Sequence, residues 1–172
     1  MQNIVGHWLL SLKQYLLMSL LLSSPAKLPY NTYCVLLTVF AYFALGLLLV
    51  DEQRGYGLVC AQIILELGML ALIAYLGLRW KNNLPRFQQT FSALAGINLV
   101  ITAITIPVYR ATTGNQDSME NLIVYATLII LMWNLAVLSL IFKRAFEIPT
   151  QLSAMISFGY FVVYQFVVVW IY

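Results

Sequence analysis

From residue 32 onward the chain alternates long apolar runs with short polar interruptions, and the length of the runs identifies them. A helix needs about 20 residues to cross roughly 30 Å of hydrocarbon. Five segments meet that length, at about 32–50, 57–79, 87–109, 121–142 and 151–172, with ends defined to about 2–4 residues. The interruptions are Asp51 to Tyr56, Trp80 to Arg86, Arg110 to Glu120 and Lys143 to Pro149. Connections this short make successive spans antiparallel neighbours. The pattern predicts an all-α integral membrane protein with a five-transmembrane-helix bundle over residues 32–172.

Residues 1–25 carry a different pattern. Asn3, His7, Ser11 and Gln14 recur at helical spacing, while Ile4, Trp8, Leu12, Tyr15 and Leu16 take the opposite side. This predicts an N-terminal amphipathic helix lying in the interface. A sixth crossing is the alternative; Lys13 at its centre, together with His7 and Ser11, counts against it, and Pro25 breaks the chain before the first span. Leu16 to Ala26 loosely resembles a signal-peptide core and cleavage region. The late basic residue, Lys13, and the apolar Trp8, Leu9 and Leu10 before it argue against that reading.

Composition agrees with the pattern. Hydrophobic residues make up 62% and charged residues 9% of the 172 residues, with a mean hydropathy of +0.87, whereas soluble chains carry roughly 25% charged residues. The longest polar interruption is too short to build a separate core. Chemistry would therefore sit in the bundle or at its rims. Cys34 and Cys60 fall near the starts of consecutive antiparallel spans, at opposite faces, and are read as small packing residues rather than a disulfide.

The net charge of +3 reflects topology more than a nucleic-acid partner. Lys13, Lys27, Arg79, Lys81, Arg86, Lys143 and Arg144, seven in all, fall on one side, against Arg54 and Arg110 on the other. The positive-inside rule puts the N-terminus in the cytoplasm and the C-terminus on the periplasmic or extracellular side. Tyr30, Tyr33, Trp80, Phe87 and Phe146 mark one rim; Tyr56, Tyr109, Trp170 and Tyr172 mark the other. The lack of an Asn-x-Ser/Thr sequon and the short loops favour a bacterial inner membrane.

Polar residues inside spans turn inward to find partners. The first span offers Cys34, Thr38, Tyr42 and Gly46; the second, Gln62 and Glu66; the third, Gln88, Ala95, Asn98, Thr102 and Thr105. Thr127 and Asn134 lie on the fourth, and Ser153, Ser157, Tyr160, Tyr164 and Gln165 on the fifth. Glu66 is the one carboxylate deep within a span. A charge at the bilayer centre costs about 2.5–3.5 kcal/mol on insertion scales. Counting about 1.5 Å per residue, Glu66, Asn98 and Asn134 sit near the midplane, with Gln62, Thr102 and Tyr164 a turn nearer the outer face. This is the candidate polar pocket: Glu66, Gln62, Asn98, Thr102, Asn134 and Tyr164. One reading makes Glu66 a titrating group with Asn98 as partner. The other makes it interhelical glue, a protonated carboxyl donating to an Asn or Thr. A proton pathway normally needs a relay, and no second intramembrane acid is present. Ser92 and Gly96 form a small-xxx-small pair on another face of the third span, read as packing within the bundle.

The basic rim supplies a candidate docking surface of Arg79, Lys81, Arg86, Lys143, Arg144 and Glu147. Topology and contact with anionic lipid account for the same cations, at about 1 kcal/mol each. There is no phosphate-cradling Gly loop, nucleophile elbow, CxxC or metal-ligand set, and the single His, His7, lies outside the bundle. No cofactor and no metal site are expected.

An N-terminal amphipathic segment before five closely spaced spans resembles the Yip family of five-span membrane proteins. Arg86-Phe-Gln-Gln-Thr-Phe-Ser-Ala-Leu94 and Phe146-Glu-Ile-Pro149 resemble motifs of small uncharacterised proteobacterial inner-membrane proteins. The resemblance implies an adaptor or membrane-organising role and brings no site residues with it.

Together these features lead to a non-enzymatic inner-membrane protein, an adaptor, accessory or assembly factor acting through helix contacts with a membrane-protein partner or a second copy of itself. The competing reading is a small transporter or channel-like protein built on the Glu66, Asn98 and Asn134 pocket.

Overall fold

A computed structural model describes residues 4–29, 31–48, 55–112 and 120–171. The described chain is helical, without strands: α1 (Ile4–Ser19), α2 (Thr32–Leu47), α3 (Gly55–Trp80), α4 (Phe87–Thr112), α5 (Glu120–Phe146) and α6 (Thr150–Ile171). Short 3-10 turns at Pro25–Lys27 and Leu84–Arg86 precede α2 and α4. Four helices, α3 to α6, are long and apolar enough to cross a membrane, and α2 is a shorter apolar helix of 16 residues. The expected continuation of the first span to residue 50 lies outside the described residues, as do Tyr30, Arg54 and Tyr172 and the side chains of Tyr109 and Arg110.

The chain reverses at each connection, so the starts of α2, α4 and α6 share one end with the C-termini of α1, α3 and α5. The basic residues gather there, at what is the basic end of the bundle. Three helices terminate there by the same device. A left-handed residue is followed by an N–H that bonds to the carbonyl five residues back, satisfying helix-end acceptors. The residues are Leu21 (φ 65), Asn82 (φ 54) and Glu147 (φ 53), with bonds from Leu22 to Leu17 (2.8 Å), Asn83 to Leu78 (2.8 Å) and Ile148 to Lys143 (3.3 Å). Asn tolerates this conformation; Leu and Glu adopt it at a cost of about 1–3 kcal/mol each.

α4 is the hub. Of its apolar stretch 56% is buried, against 17–22% for α3, α5 and α6, which turn most of their surface outward. Its Ala93, Leu94 and Ile97 pack with Leu70, Ala74 and Leu78 of α3 and with Val137, Ile141 and Phe142 of α5. A smaller cluster joins Tyr42, Val59, Ile63 and Leu99 across α2, α3 and α4. Exposed Tyr33 and Trp80 mark the basic end, and exposed Tyr56 and Trp170 the other. Phe146 differs from the rim anchor expected of it. It is buried, stacked on Phe142 with ring centroids 5.4 Å apart, and its ring lies where a Cβ on Gly77 would be.

α1 belongs to this packing. Tyr15 and Met18 are fully buried in the main cluster. The Tyr15 ring lies over Gly96, and its hydroxyl stands 2.7 Å from Ser92 Oγ and 3.2 Å from Thr38 Oγ1. Thr38 gives its only hydroxyl proton to the Cys34 carbonyl at 2.8 Å. Tyr15 therefore donates to Thr38 and accepts from Ser92. The small pair Ser92 and Gly96 is thus the seat for an aromatic ring from α1. The inward side of α1 also includes Ser11 and Ser19, whereas Leu9, Leu10, Leu16 and Leu20 face outward with Lys13. The sequence grouped Ser11 with the polar face and Tyr15 and Leu16 with the apolar one; the helix packs Ser11 and Tyr15 inward together and leaves Leu16 exposed. The Ser11 hydroxyl donates to the His7 carbonyl at 3.0 Å, which lets it be buried.

The segment joining α1 to α2 is strapped down. Trp133 Nε1 donates to the Ser19 carbonyl (2.8 Å), Gln89 Nε2 to the Leu28 carbonyl (2.8 Å) and Gln88 Nε2 to Thr32 Oγ1 (2.9 Å). Arg144 donates to the Ser23 carbonyl.

Candidate functional site

The site starts from the inward stripe of α2. Cys34, Thr38, Tyr42 and Gly46 recur every four residues and are all buried. Gly46 matters most at one point. A Cβ there would stand 2.5 Å from Ile63 Cδ1, so its absence lets α2 approach α3. The close approach aligns Tyr42 with Glu66, eleven residues or about 16 Å from the start of α3.

Glu66 is held from two sides. The Tyr42 hydroxyl donates to Oε2 at 2.6 Å, and Asn98 Nδ2 of α4 donates to Oε1 at 2.9 Å. Three helices are thereby joined at one carboxyl group. Nearby, Gln62 Nε2 donates to the Tyr164 hydroxyl at 3.1 Å, tying α3 to α6. Tyr164 stacks on the buried Tyr160 with centroids 6.1 Å apart.

Beside the carboxyl lies a cavity of about 240 Å³, lined by Tyr42, Gly46, Val59, Gln62, Ile63, Glu66 and Thr102. One water needs about 10–15 Å³ by such a measure. The wall runs from Glu66 through Gln62 to Val59, seven residues or about 10 Å of helix toward the end opposite the basic rim. Polar groups line the inner part of that wall, and Val59, Ile63 and Gly46 line the rest.

The structure thus brings together Glu66, Gln62, Asn98, Thr102 and Tyr164 of the pocket read from the sequence. It does not bring Asn134 there. Asn134 is neither bonded to Glu66 nor on the cavity wall, and its Oδ1 is buried without a hydrogen-bond partner among the described residues. Tyr42 is the site residue that sequence reasoning left out of the pocket. Its signal was the every-fourth-residue stripe on the first span. Among the described residues no three His, Cys, Asp or Glu side chains cluster in a way that could hold a metal ion.

The basic rim is organised by contacts within the chain. Arg86 Nη1 and Glu147 Oε1 form an exposed ion pair at 3.0 Å, worth about 0–1 kcal/mol. Lys143 Nζ donates to Thr150 Oγ1 at 2.7 Å, Lys81 lies 4.9 Å from the centroid of the Trp80 ring, and Arg79 approaches the Tyr75 hydroxyl at 3.5 Å. The two motifs that open α4 and close α5 therefore meet through Arg86 and Glu147. Gln89 and Arg144 are engaged with the segment before α2, and Gln88 with Thr32 at its first residue.

No family model, curated protein or solved structure matches this chain.

Proposed function

We propose that the protein is a non-enzymatic five-span protein of a bacterial inner membrane, with its basic end in the cytoplasm, and that the Glu66 cavity is a transporter- or channel-like binding site. The observation that carries the reading is the cavity itself. A carboxyl group serving only as glue needs its hydrogen-bond partners and no adjoining space, whereas Glu66 has both the Tyr42 and Asn98 bonds and an open, partly polar cavity beside it. α2, at 16 described residues, needs only a few more to complete the fifth span. α1 serves as an interfacial helix sunk obliquely into the cytoplasmic leaflet. The Tyr15 hydroxyl meets Ser92 and its ring covers Gly96, five and nine residues from the basic end of α4, so the long Lys13 side chain extends toward the headgroups while the outward leucines lie in acyl chains.

Reconstitution in liposomes tests the site. With a pH-reporting dye inside and an imposed potential, the wild type should show flux above empty liposomes and Glu66→Gln should abolish it. Wild-type liposomes as tight as empty ones would oppose the reading.

One observation favours the adaptor or assembly-factor reading. On α6, Phe161, Val162, Gln165, Phe166 and Val169 line an open apolar groove. Gln165 is an exposed polar group within a helix otherwise suited to lipid, and such a side chain commonly bonds to another membrane helix. Purification in mild detergent, followed by mass spectrometry of what accompanies the chain, tests it. Recovery of the protein alone and monomeric under several conditions would count against this role.

A further inference from the structure

We infer that the Glu66 cavity takes a small monovalent organic cation of the protonated-amine class. The inference rests on the reading of the cavity as a binding site and adds the identity of the ligand class. The charge of Glu66, its acceptor sites and the chemistry of the wall lead to it.

Glu66 is the sole ionisable acid deep within the spans, and between their terminal turns α2 to α6 contain no Lys or Arg. The carboxyl group meets only neutral donors, the Tyr42 hydroxyl and the Asn98 amide. A carboxylate in low dielectric without a cationic partner is costly, and the adjoining cavity gives a mobile cation a place from which to supply the charge.

The hydrogen bonds point the same way. The Tyr42 hydroxyl proton is committed to Glu66, and one N–H of each of the Gln62 and Asn98 amides donates to Tyr164 and Glu66 respectively. Two ionised carboxylate oxygens offer about four lone-pair sites, of which two are engaged. The Glu66 carboxylate on the cavity wall therefore keeps acceptor capacity for a donating ligand.

Size and wall chemistry narrow the class. One carboxylate balances one positive charge, which disfavours a divalent ion. A hard alkali ion needs several oxygens around it, whereas Val59, Ile63, Gly46 and the Tyr42 ring present carbon over much of the wall. An alkylammonium satisfies both parts. Its N–H groups face Glu66 and its carbon faces the apolar wall and the aromatic ring.

Isothermal titration of the purified protein with methylammonium chloride tests this, with sodium chloride and calcium chloride at matched ionic strength and neutral acetamide as controls. Methylammonium should bind and the controls should not. Glu66→Gln should weaken binding by about ten- to a hundredfold, the loss expected for a hydrogen bond to a charged group. Val59→Phe, which keeps Glu66 and fills the cavity, should abolish the signal while the variant retains wild-type thermal stability. Equal binding by wild type and both variants, binding of acetamide or calcium in place of the amine, or no binding of any probe would overturn the inference. Glu66-dependent proton flux without amine binding would overturn the ligand class alone. Absence of both would overturn the site reading as well.

Discussion

Gly96→Val is the sharpest perturbation of the packing. A Cβ at Gly96 would stand 2.4 Å from Cδ1 and Cε1 and 2.5 Å from Cγ of Tyr15. These atoms belong to a rigid ring on a fully buried side chain, anchored at its far end by Ser92 and Thr38. Normal contact near 3.5–4.0 Å requires the ring to retreat by about 1 Å or more, which stretches the bonds of the Tyr15 hydroxyl. Overpacking costs about 1–3 kcal/mol, and each intramembrane hydrogen bond adds about 0.6 kcal/mol. The expected destabilisation is about 2–4 kcal/mol. Reversible unfolding in mixed micelles by titration with denaturing detergent measures it. Gly68→Val and Gly159→Val are controls, because a Cβ at either position meets nothing within 4 Å. Tyr15→Ala should restore part of the loss when combined with Gly96→Val, since it removes the ring that the new side chain strikes; the double-mutant cycle isolates that coupling. If Gly96→Val unfolds within about 0.5 kcal/mol of wild type, or no differently from the Gly68 control, α1 is not seated on α4 as described.

Three further outcomes follow from particular contacts. Leu21→Gly should stabilise the protein by about 1 kcal/mol in the same unfolding assay, because the left-handed residue ending α1 is a half-exposed leucine; a loss of stability would contradict this account of the turn. Gly77→Ala should destabilise by about 1–3 kcal/mol, since a Cβ there falls 2.4–2.7 Å from the Phe146 ring, and should show coupling with Phe146→Leu. Arg86→Ala should cost no more than about 1 kcal/mol, and the loss should shrink with added salt, because its pair with Glu147 is exposed.

Most helix extents could be read from the chain because hydrocarbon imposes one rule, a run of apolar residues long enough to cross it. The interruptions at Asn82–Asn83 and Glu147–Pro149 fall where α3 and α5 end. The contact between Glu66 and Asn98 was legible for a related reason: depth along antiparallel helices converts to distance by counting. Depth does not give rotation about the helix axis, and that separates Asn134 from the cavity. Tyr42 was on the correct face, yet its partner depended on how closely Gly46 lets α2 approach α3, a packing detail with no sequence signature. The faces of α1 do not divide simply into polar and apolar. A helix in water hides its leucines, whereas α1 buries Ser11, Tyr15 and Ser19 and turns Leu9, Leu10 and Leu16 outward. That is the arrangement expected when the surroundings are lipid.

Side-specific thiol labelling at Thr102 tests the central claim most directly. Thr102 lies on the cavity wall, one turn from Asn98, and the two native cysteines, Cys34 and Cys60, are free and replaceable by Ala. In oriented vesicles of Thr102→Cys, a charged, membrane-impermeant thiol reagent applied opposite the basic end should label the introduced thiol, and Val59→Phe should block the labelling. If the reagent cannot reach that thiol from that side, while an exposed control cysteine reacts fully, the space beside Glu66 is sealed and the carboxyl group only holds helices together.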